Sequence, residues 1–263
     1  MKEKYKTEWF SEDGARYKIE VSILKDIATI TLDTSGVALH KRGYRKLTGT
    51  APLKETMAAA LLSLSYWKKD RVLVDPFCGT GTIPIEAALM ARNIAPGINR
   101  TFDCEEWNIL DKNIFKTLRQ EANDVIDRDI ELRIHGSDID EDAISVARYH
   151  MKEAGVDGDI HFQRMDFRDI SSRYKYGHII CNPPYGERSN KDDDIDRLYR
   201  DIGRKFKEFD TWSYYIFAPA GNFEKLFGRA ADKKRKLFNG RLLCNYYQFY
   251  GPKPPKTTGN IDG

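Results

Sequence analysis

Cysteine is scarce in this chain: four among 263 residues, at positions 78, 104, 181 and 244, with no Cys-x-x-Cys pair. A zinc site or a disulfide framework is therefore not expected, no other metal site suggests itself, and a reducing cytoplasm fits best. Long apolar runs are missing too. None approaches the roughly 20 residues of a membrane span, so no membrane partner is expected. The opening residues, Met1-Lys2-Glu3-Lys4-Tyr5-Lys6, lack the apolar core of an export signal. Charge of either sign is nearly balanced, with 43 Lys and Arg against 40 Asp and Glu, so only its distribution can point to a polyanion. There is no internal repeat.

What is present is an alternation of strands and helices. Arg16 to Leu24 and Ile27 to Asp33 read as two strands joined by Lys25-Asp26, a hairpin too small to stand without something to pack on. His40 to Lys46 is dense in positive charge around Tyr44 and reads either as a solvated loop or as a phosphate-contacting patch. Pro52 opens a helix to about Tyr66. Arg71 to Asp75 is a buried strand, followed by the turn Pro76-Phe77-Cys78-Gly79-Thr80-Gly81-Thr82 and an apolar helix to about Arg92. Strand, glycine turn and helix are the grammar of an open α/β sheet that holds a nucleotide cofactor.

Residues 94–131 interrupt it. Trp107, Leu110, Ile114, Leu118, Ala122 and Val125 recur at spacings of three and four, predicting an inserted helix with a stripe that packs on the core. The alternation then resumes. Leu132 to Asp138 is a strand; Asp140 caps a helix; Ile160 to Met165 is a strand running into Asp166; and His178 to Cys181 is a strand that stops at Asn182-Pro183-Pro184-Tyr185. Beyond a charged loop come a helix with Ile195, Leu198, Ile202, Phe206 and Phe209 on one face, a strand from Trp212, a short helix at Phe223, and two strands flanking Asn239-Gly240, the strongest short hairpin signal in the chain. The expectation is an α/β domain with a mostly parallel seven-stranded sheet, a C-terminal antiparallel hairpin and helices on both faces. Its organisation reads as hairpin and basic linker over 1–48, the catalytic domain with its helical insertion over 49–250, and a frayed tail over 251–263.

The glycine turn lacks both the third glycine of a dinucleotide fingerprint and the Lys-Ser/Thr of a phosphate loop, which counts against NAD and nucleoside triphosphates. Three successive strands end in Asp75, Asp138 and Asp166. Acids gathered at neighbouring strand ends repel phosphates and suit a cationic cofactor that carries hydroxyls, and S-adenosylmethionine has those groups. In Asn182-Pro183-Pro184-Tyr185 the prolines fix an extended backbone and donate no hydrogen bond, leaving a carboxamide, bare carbonyls and an aromatic face. That set accepts hydrogens from a planar amine and stacks on its ring. The catalytic candidates are therefore Asn182, Pro183, Pro184 and Tyr185.

Asp75 to Thr82, Gly136-Ser137-Asp138-Ile139-Asp140 and Asn182 to Arg188, with His40 to Arg45 and Ala51 to Glu55, resemble the THUMP-associated class I RNA methyltransferases. These are guanine-N2 methyltransferases of ribosomal and transfer RNA, and the likeness, from about Ile19 to Tyr250, is nearest to the bacterial 23S rRNA branch. It implies a Rossmann-like methyltransferase fold and S-adenosylmethionine as cofactor. By that likeness Asp75, Pro76, Phe77, Cys78, Gly79, Thr80, Gly81 and Thr82 hold the methionine part, Asp138 the ribose, Ile139 the adenine face, Asp166 and Phe167 the adenine edge, while Pro52 and Leu53 close the other side. Family members usually carry an RNA-binding THUMP domain ahead of the catalytic one. Here only its connecting hairpin is expected, with the RNA grip in another segment or chain and the catalytic unit a monomer. Guanine N2 and adenine N6 are both planar amines, so the motif leaves adenine-N6 methylation of DNA or RNA open, as well as a tRNA target; a catalytically silent RNA-binding module is the alternative from another class.

Overall fold

Leu73-Val74-Asp75 is apolar up to its last residue because it runs through the middle of a sheet covered on both faces, as parallel strands require. The computed structural model describes residues 2–9, 12–47, 53–185 and 192–255. After a four-residue helix, α1 (Lys2–Tyr5), the strands β1 (Lys18–Leu24) and β2 (Ile27–Asp33) form a separate two-stranded sheet. The main body follows in the order α2 (Glu55–Leu64), β3 (Leu73–Asp75), α3 (Thr82–Ala91), α4 (Asn113–Asp124), β4 (Ile134–Asp138), α5 (Glu141–Glu153), β5 (Ile160–Arg164), β6 (His178–Cys181), α6 (Asp192–Phe206), β7 (Ser213–Pro219), α7 (Phe223–Phe227), β8 (Lys233–Asn239) and β9 (Leu242–Phe249).

Seven strands make one sheet in the order β5-β4-β3-β6-β7-β9-β8. The first five are parallel, and β9 runs antiparallel to both of its neighbours. Strand alternation divides the core by face. Leu73, Ile134, Ile180 and Tyr246 pack with Leu61 of α2, Ile85 of α3 and Ile144 of α5. Ile179, Cys181, Ile216 and Phe249 pack with Phe206 of α6 and Phe223 of α7. The predicted sheet and its hairpin are therefore borne out, with Asn239 facing Leu242 across the turn. Asp140 caps α5, its carboxylate accepting from the Asp142 and Ala143 N–H groups.

Three expectations are corrected. The stripe on α4 is not core: Ile114 is 44% and Leu118 52% exposed, and Arg119 fastens the helix instead, donating to Glu105 and to the Arg100 carbonyl. Only Trp107, ahead of the helix, is buried. Its indole N–H donates to the Arg16 carbonyl at 2.7 Å and its ring stacks on Tyr17, so it roots the β1–β2 hairpin. Second, that hairpin has no cover among the described residues. Ile19, Val21 and Ile23 stand opposite Leu32, Ile30 and Ala28, which gathers all six on one face, and Val21 is 61% and Ile30 71% exposed.

The third correction concerns the basic segment at 40–46, which is neither a solvated loop nor a phosphate patch at its two arginines. Glu86 is buried in the otherwise apolar α3 and needs counter-charge and donors. Arg42 supplies a two-pronged pair at 3.2 and 3.4 Å, and the Tyr44 hydroxyl donates at 3.2 Å. Arg45 donates to the Leu53 carbonyl and the Thr82 hydroxyl and pairs with buried Glu55. The segment is a strap laid over α2 and α3. Arg42→Met should lower stability by about 3 kcal/mol, because it leaves Glu86 buried without a counter-charge, whereas Arg42→Met with Glu86→Leu should recover most of that loss. Urea unfolding of the two variants checks the difference.

Candidate active site

Adjacent parallel strands β3 and β6 lie at the point where the connections diverge. From β3 the chain moves to β4 and β5 on one side, then crosses to β6 and β7 on the other, and such a reversal opens a crevice beyond the strand ends. Loops leaving β3 and β6 form its two walls.

The wall from β3 is the glycine turn. Asp75 is buried, and its carboxylate accepts from the Phe77 N–H at 3.1 Å. Cys78 N–H donates to the Ser137 carbonyl, which ties the turn to β4, and Gly79 N–H donates to Asp138 at 2.9 Å. Gly79, at φ +51, would present a Cβ to open space, so its bare backbone faces the crevice. Gly81, at φ +85, starts α3 with no room for a side chain, since a Cβ would lie 2.8 Å from the Phe162 ring. Gly136 on β4 is equally crowded by Phe162. It was not among the expected site residues, although a glycine inside an apolar strand signals a close approach of this kind.

The remaining expected residues stand in different states. Asp138 also accepts from the Asp140 N–H, so both of its oxygens brace loops while each keeps a lone pair. Ile139 stands 64% exposed at the rim. Phe167 packs on Phe77 with centroids 5.0 Å apart. Asp166 is engaged by Arg168, whose guanidinium donates to it at 2.9 Å and reaches Asp201 as well. Leu53 is buried, and Thr82 has its hydroxyl held by Arg45; Pro76 and Thr80 complete the turn, and the Thr80 carbonyl lies 3.3 Å from Nδ1 of His150. Pro52 falls outside the described residues, as do Gly186, Glu187 and Arg188. Arg45 and His150 grip the turn from behind and were missed by the sequence reading. The signal for Arg45 was Glu55, a buried acid on an inward helix face; no signal in the sequence marks His150.

From β6, Asn182-Pro183-Pro184-Tyr185 forms the other wall. Pro183 is buried and Pro184 exposed. The Pro184 carbonyl accepts from the Tyr199 hydroxyl at 3.3 Å, and the Tyr185 hydroxyl donates to the Asn182 carboxamide oxygen. Burial pushes the Tyr185 phenol far up, so it stays a donor. Burial, with Asp75 and Asp138 nearby, pushes the Cys78 thiol up, and burial beside Asp75 does the same to Cys181; neither is a thiolate nucleophile. For Asp75, burial raises the carboxyl well above the usual range, the Phe77 N–H pulls it back in part, and Asp138 adds a further push. Among the described residues no cation stands beside this buried acid, which fits a positively charged ligand, and the open Gly79 backbone fits its close approach.

Fold and crevice together define a class I methyltransferase domain. The chain belongs to the RMKL-like methyltransferase domain family, whose model matches residues 42–248. It is 47% identical over 249 residues to YpsC of Bacillus subtilis (strain 168), assigned by name alone to the RNA methyltransferases; the match covers 95% of this chain and 65% of YpsC. It is 39% identical over 242 residues to the ribosomal RNA large subunit methyltransferase K/L of Shewanella baltica (strain OS195), covering 90% of this chain and 34% of that protein. Among solved structures it matches one described as a possible methylase from Clostridium difficile 630, with a TM-score of 0.90, 47% identity and coverage of 97% of this chain and 67% of that one. SMU.472, a methyltransferase by name, complexed with SAH, matches with a TM-score of 0.88, 45% identity and coverage of 93% and 64%. The chain thus spans roughly two thirds of YpsC and SMU.472, and a third of the K/L protein. The expectations of the family and of an S-adenosylmethionine-dependent methyltransferase domain are borne out.

Asp75 should couple cofactor binding to pH. A bound cation favours the ionised carboxylate, so binding releases protons, and affinity should rise with pH from the ordinary carboxylate range up to the raised value of the free domain. Calorimetry of S-adenosylmethionine binding in buffers of different ionisation enthalpy should register this release, and Asp75→Asn should abolish it while weakening affinity.

Proposed function

We propose that the chain is the catalytic part of an S-adenosylmethionine-dependent RNA methyltransferase of the cytoplasm, acting on an exocyclic base amine, with guanine N2 of 23S rRNA as the target. The observation that carries this reading is the adjacency of β3 and β6, which sets a glycine turn with a buried acid beside Asn182-Pro183-Pro184-Tyr185. The names of the matched relatives support RNA as the substrate, and the motif resemblance supports guanine N2.

When bound, S-adenosylmethionine supplies a methyl group on a sulfonium. Asp75 and the turn from Pro76 to Thr82 would hold the methionine end, Asp138 the ribose through its remaining lone pairs, Ile139 and Phe167 the adenine. The chain's other task is to aim the nucleophile. An exocyclic amine shares its lone pair with the ring and is a poor nucleophile until its hydrogens are held. Asn182 and the Pro183 carbonyl accept those hydrogens and turn the nitrogen lone pair toward the methyl carbon. The cofactor would supply the methyl group to that nitrogen and keep the sulfur as a neutral thioether, and the nitrogen would shed its extra proton to solvent. Alignment and charge placement matter more here than a strong base.

The Asn182 oxygen that would receive the amine accepts from Tyr185 in this structure. The base, once out of its stack, takes that place, and the Tyr185 ring turns to lie on it. Asn182→Ala should leave cofactor affinity nearly unchanged and cut turnover by about two to three orders of magnitude. Asp138→Ala should do the reverse, weakening cofactor binding. Tyr185→Phe, which keeps the ring and removes the competing hydroxyl, should hold turnover within about threefold, while Tyr185→Ala should lose at least tenfold. The deciding experiment supplies labelled cofactor with unmodified rRNA, tRNA and DNA and identifies the methylated nucleoside by mass spectrometry. Label in N6-methyladenine, or in no nucleic acid, overturns the reading.

A further inference from the structure

The last hairpin of the sheet carries an exposed apolar pair that the fold does not use. Phe238 on β8 and Leu243 on β9 are direct cross-strand partners, 61% and 40% exposed. Their neighbours alternate by face. Leu237 and Leu242 point inward to the core shared with α2 and α3, so Phe238, Leu243 and Lys236 point to the opposite face. Exposed Lys236 and Arg241 flank the pair. Among the described residues neither has an ion-pair partner, whereas Lys234 and Arg229 nearby are paired with Glu224 and Asp232.

β8 is the free edge of the sheet. Lysines on such an edge discourage strand addition, but that purpose has no need of an exposed phenylalanine opposite an exposed leucine. Position adds a second argument. β9 runs back along β7 with Cys244 opposite Pro219, so the Asn239-Gly240 turn lies at the strand ends that release the catalytic loops. The Tyr185 hydroxyl lies 3.5 Å from the carbonyl of Phe217 on β7, which pairs with Tyr246 of β9. The tip of the hairpin is part of the mouth of the crevice, three strand spacings, about 14 Å, from β6.

The geometry points to the tip of the β8–β9 hairpin as a docking platform for single-stranded RNA beside the target nucleotide, with Phe238 stacking on a base and Lys236 and Arg241 meeting phosphates. The inference rests on the reading that the substrate is RNA. A base that enters the crevice leaves its stack, and its neighbours lose a stacking partner. An aromatic face between unpaired cations replaces that partner without regard to sequence, and the charge of the edge complements a phosphodiester chain.

Fluorescence anisotropy of a labelled, unstructured RNA dodecamer tests it, with the unmodified chain and three variants at several salt concentrations. Phe238→Ala should weaken binding about tenfold and Phe238→Trp should restore it. Lys236→Ser with Arg241→Ser should reduce the slope of log affinity on log salt by about 1.4. Calorimetric affinity for S-adenosylmethionine and the thermal midpoint, which a folding defect would move, should stay unchanged in all three. Equal RNA affinity of the unmodified chain and Phe238→Ala overturns the platform, as does absence of binding by the unmodified chain. A Phe238→Ala variant whose mass by light scattering falls from dimer to monomer would show a protein contact and overturn it also. Whether RNA is the substrate at all is judged separately, by transfer of label into RNA, so the two failures are distinguishable.

Discussion

The reversal of connections at β3 is the constraint on which the rest of the structure depends. Because the chain leaves β3 toward β4 and returns across it to β6, two loops that are 100 residues apart in sequence face each other over one strand boundary. The proposed methyl transfer needs a cofactor and a nucleophile in line, and adjacent parallel strands place their two loops side by side without a dedicated element. Asp75, at the end of a three-residue strand, can be buried because the sheet continues on both sides of it. The prolines after Cys181 stop β6 at the same level, so the carboxamide of Asn182 stands at the crevice rather than inside the sheet.

Rigidity around the crevice is supplied by buried charge. Glu86 and Glu55 lie on helix faces that pack inward, and each draws an arginine of the strap 40–46 onto the main body. Pairs of this kind add little net stability but are expensive to break. Their effect is to fix one arrangement of strap, α2 and α3, and thereby the glycine turn, since Arg45 also holds Thr82 and the Leu53 carbonyl. At its two arginines the segment that looks like a polyanion patch by composition is therefore an internal fastening, and the β8 edge carries exposed cations that have no ion-pair partner among the described residues.

Much of this was legible in the residues because the signals were local. Strands ending in acids, the glycine turn, Asp140 as a cap and Asn239-Gly240 as a turn are each written within a few positions. What was illegible depended on partners distant in sequence. The stripe on α4 has the spacing of a core helix, yet Ile114 and Leu118 face solvent, because periodicity reports that a face is apolar and not what covers it. The β1–β2 hairpin is the same case in a sheet, with six apolar side chains aligned by register. The fate of Arg42 could be read only together with Glu86, forty-four positions away, for which a lone acid in Ile83-Pro84-Ile85-Glu86-Ala87-Ala88 is the clue.

Tyr185 joins the two halves of the motif, its hydroxyl donating to the Asn182 carboxamide oxygen. An aromatic at the end of such a motif was expected to stack on the base, and here its hydroxyl donates to the oxygen that the proposed reaction would offer to the amine. On that proposal the two would be successive states of one residue. An empty Asn182 oxygen at the mouth of a partly buried crevice would lack a donor, and the phenol, kept protonated by burial, provides one. On the proposed reading an incoming amine would replace that hydrogen bond with its own, the exchange would be nearly neutral in hydrogen bonds, and the released ring would become available for stacking. Selectivity for a planar amine would follow, since a substrate without hydrogens to offer would leave Asn182 unpaired once Tyr185 had turned away.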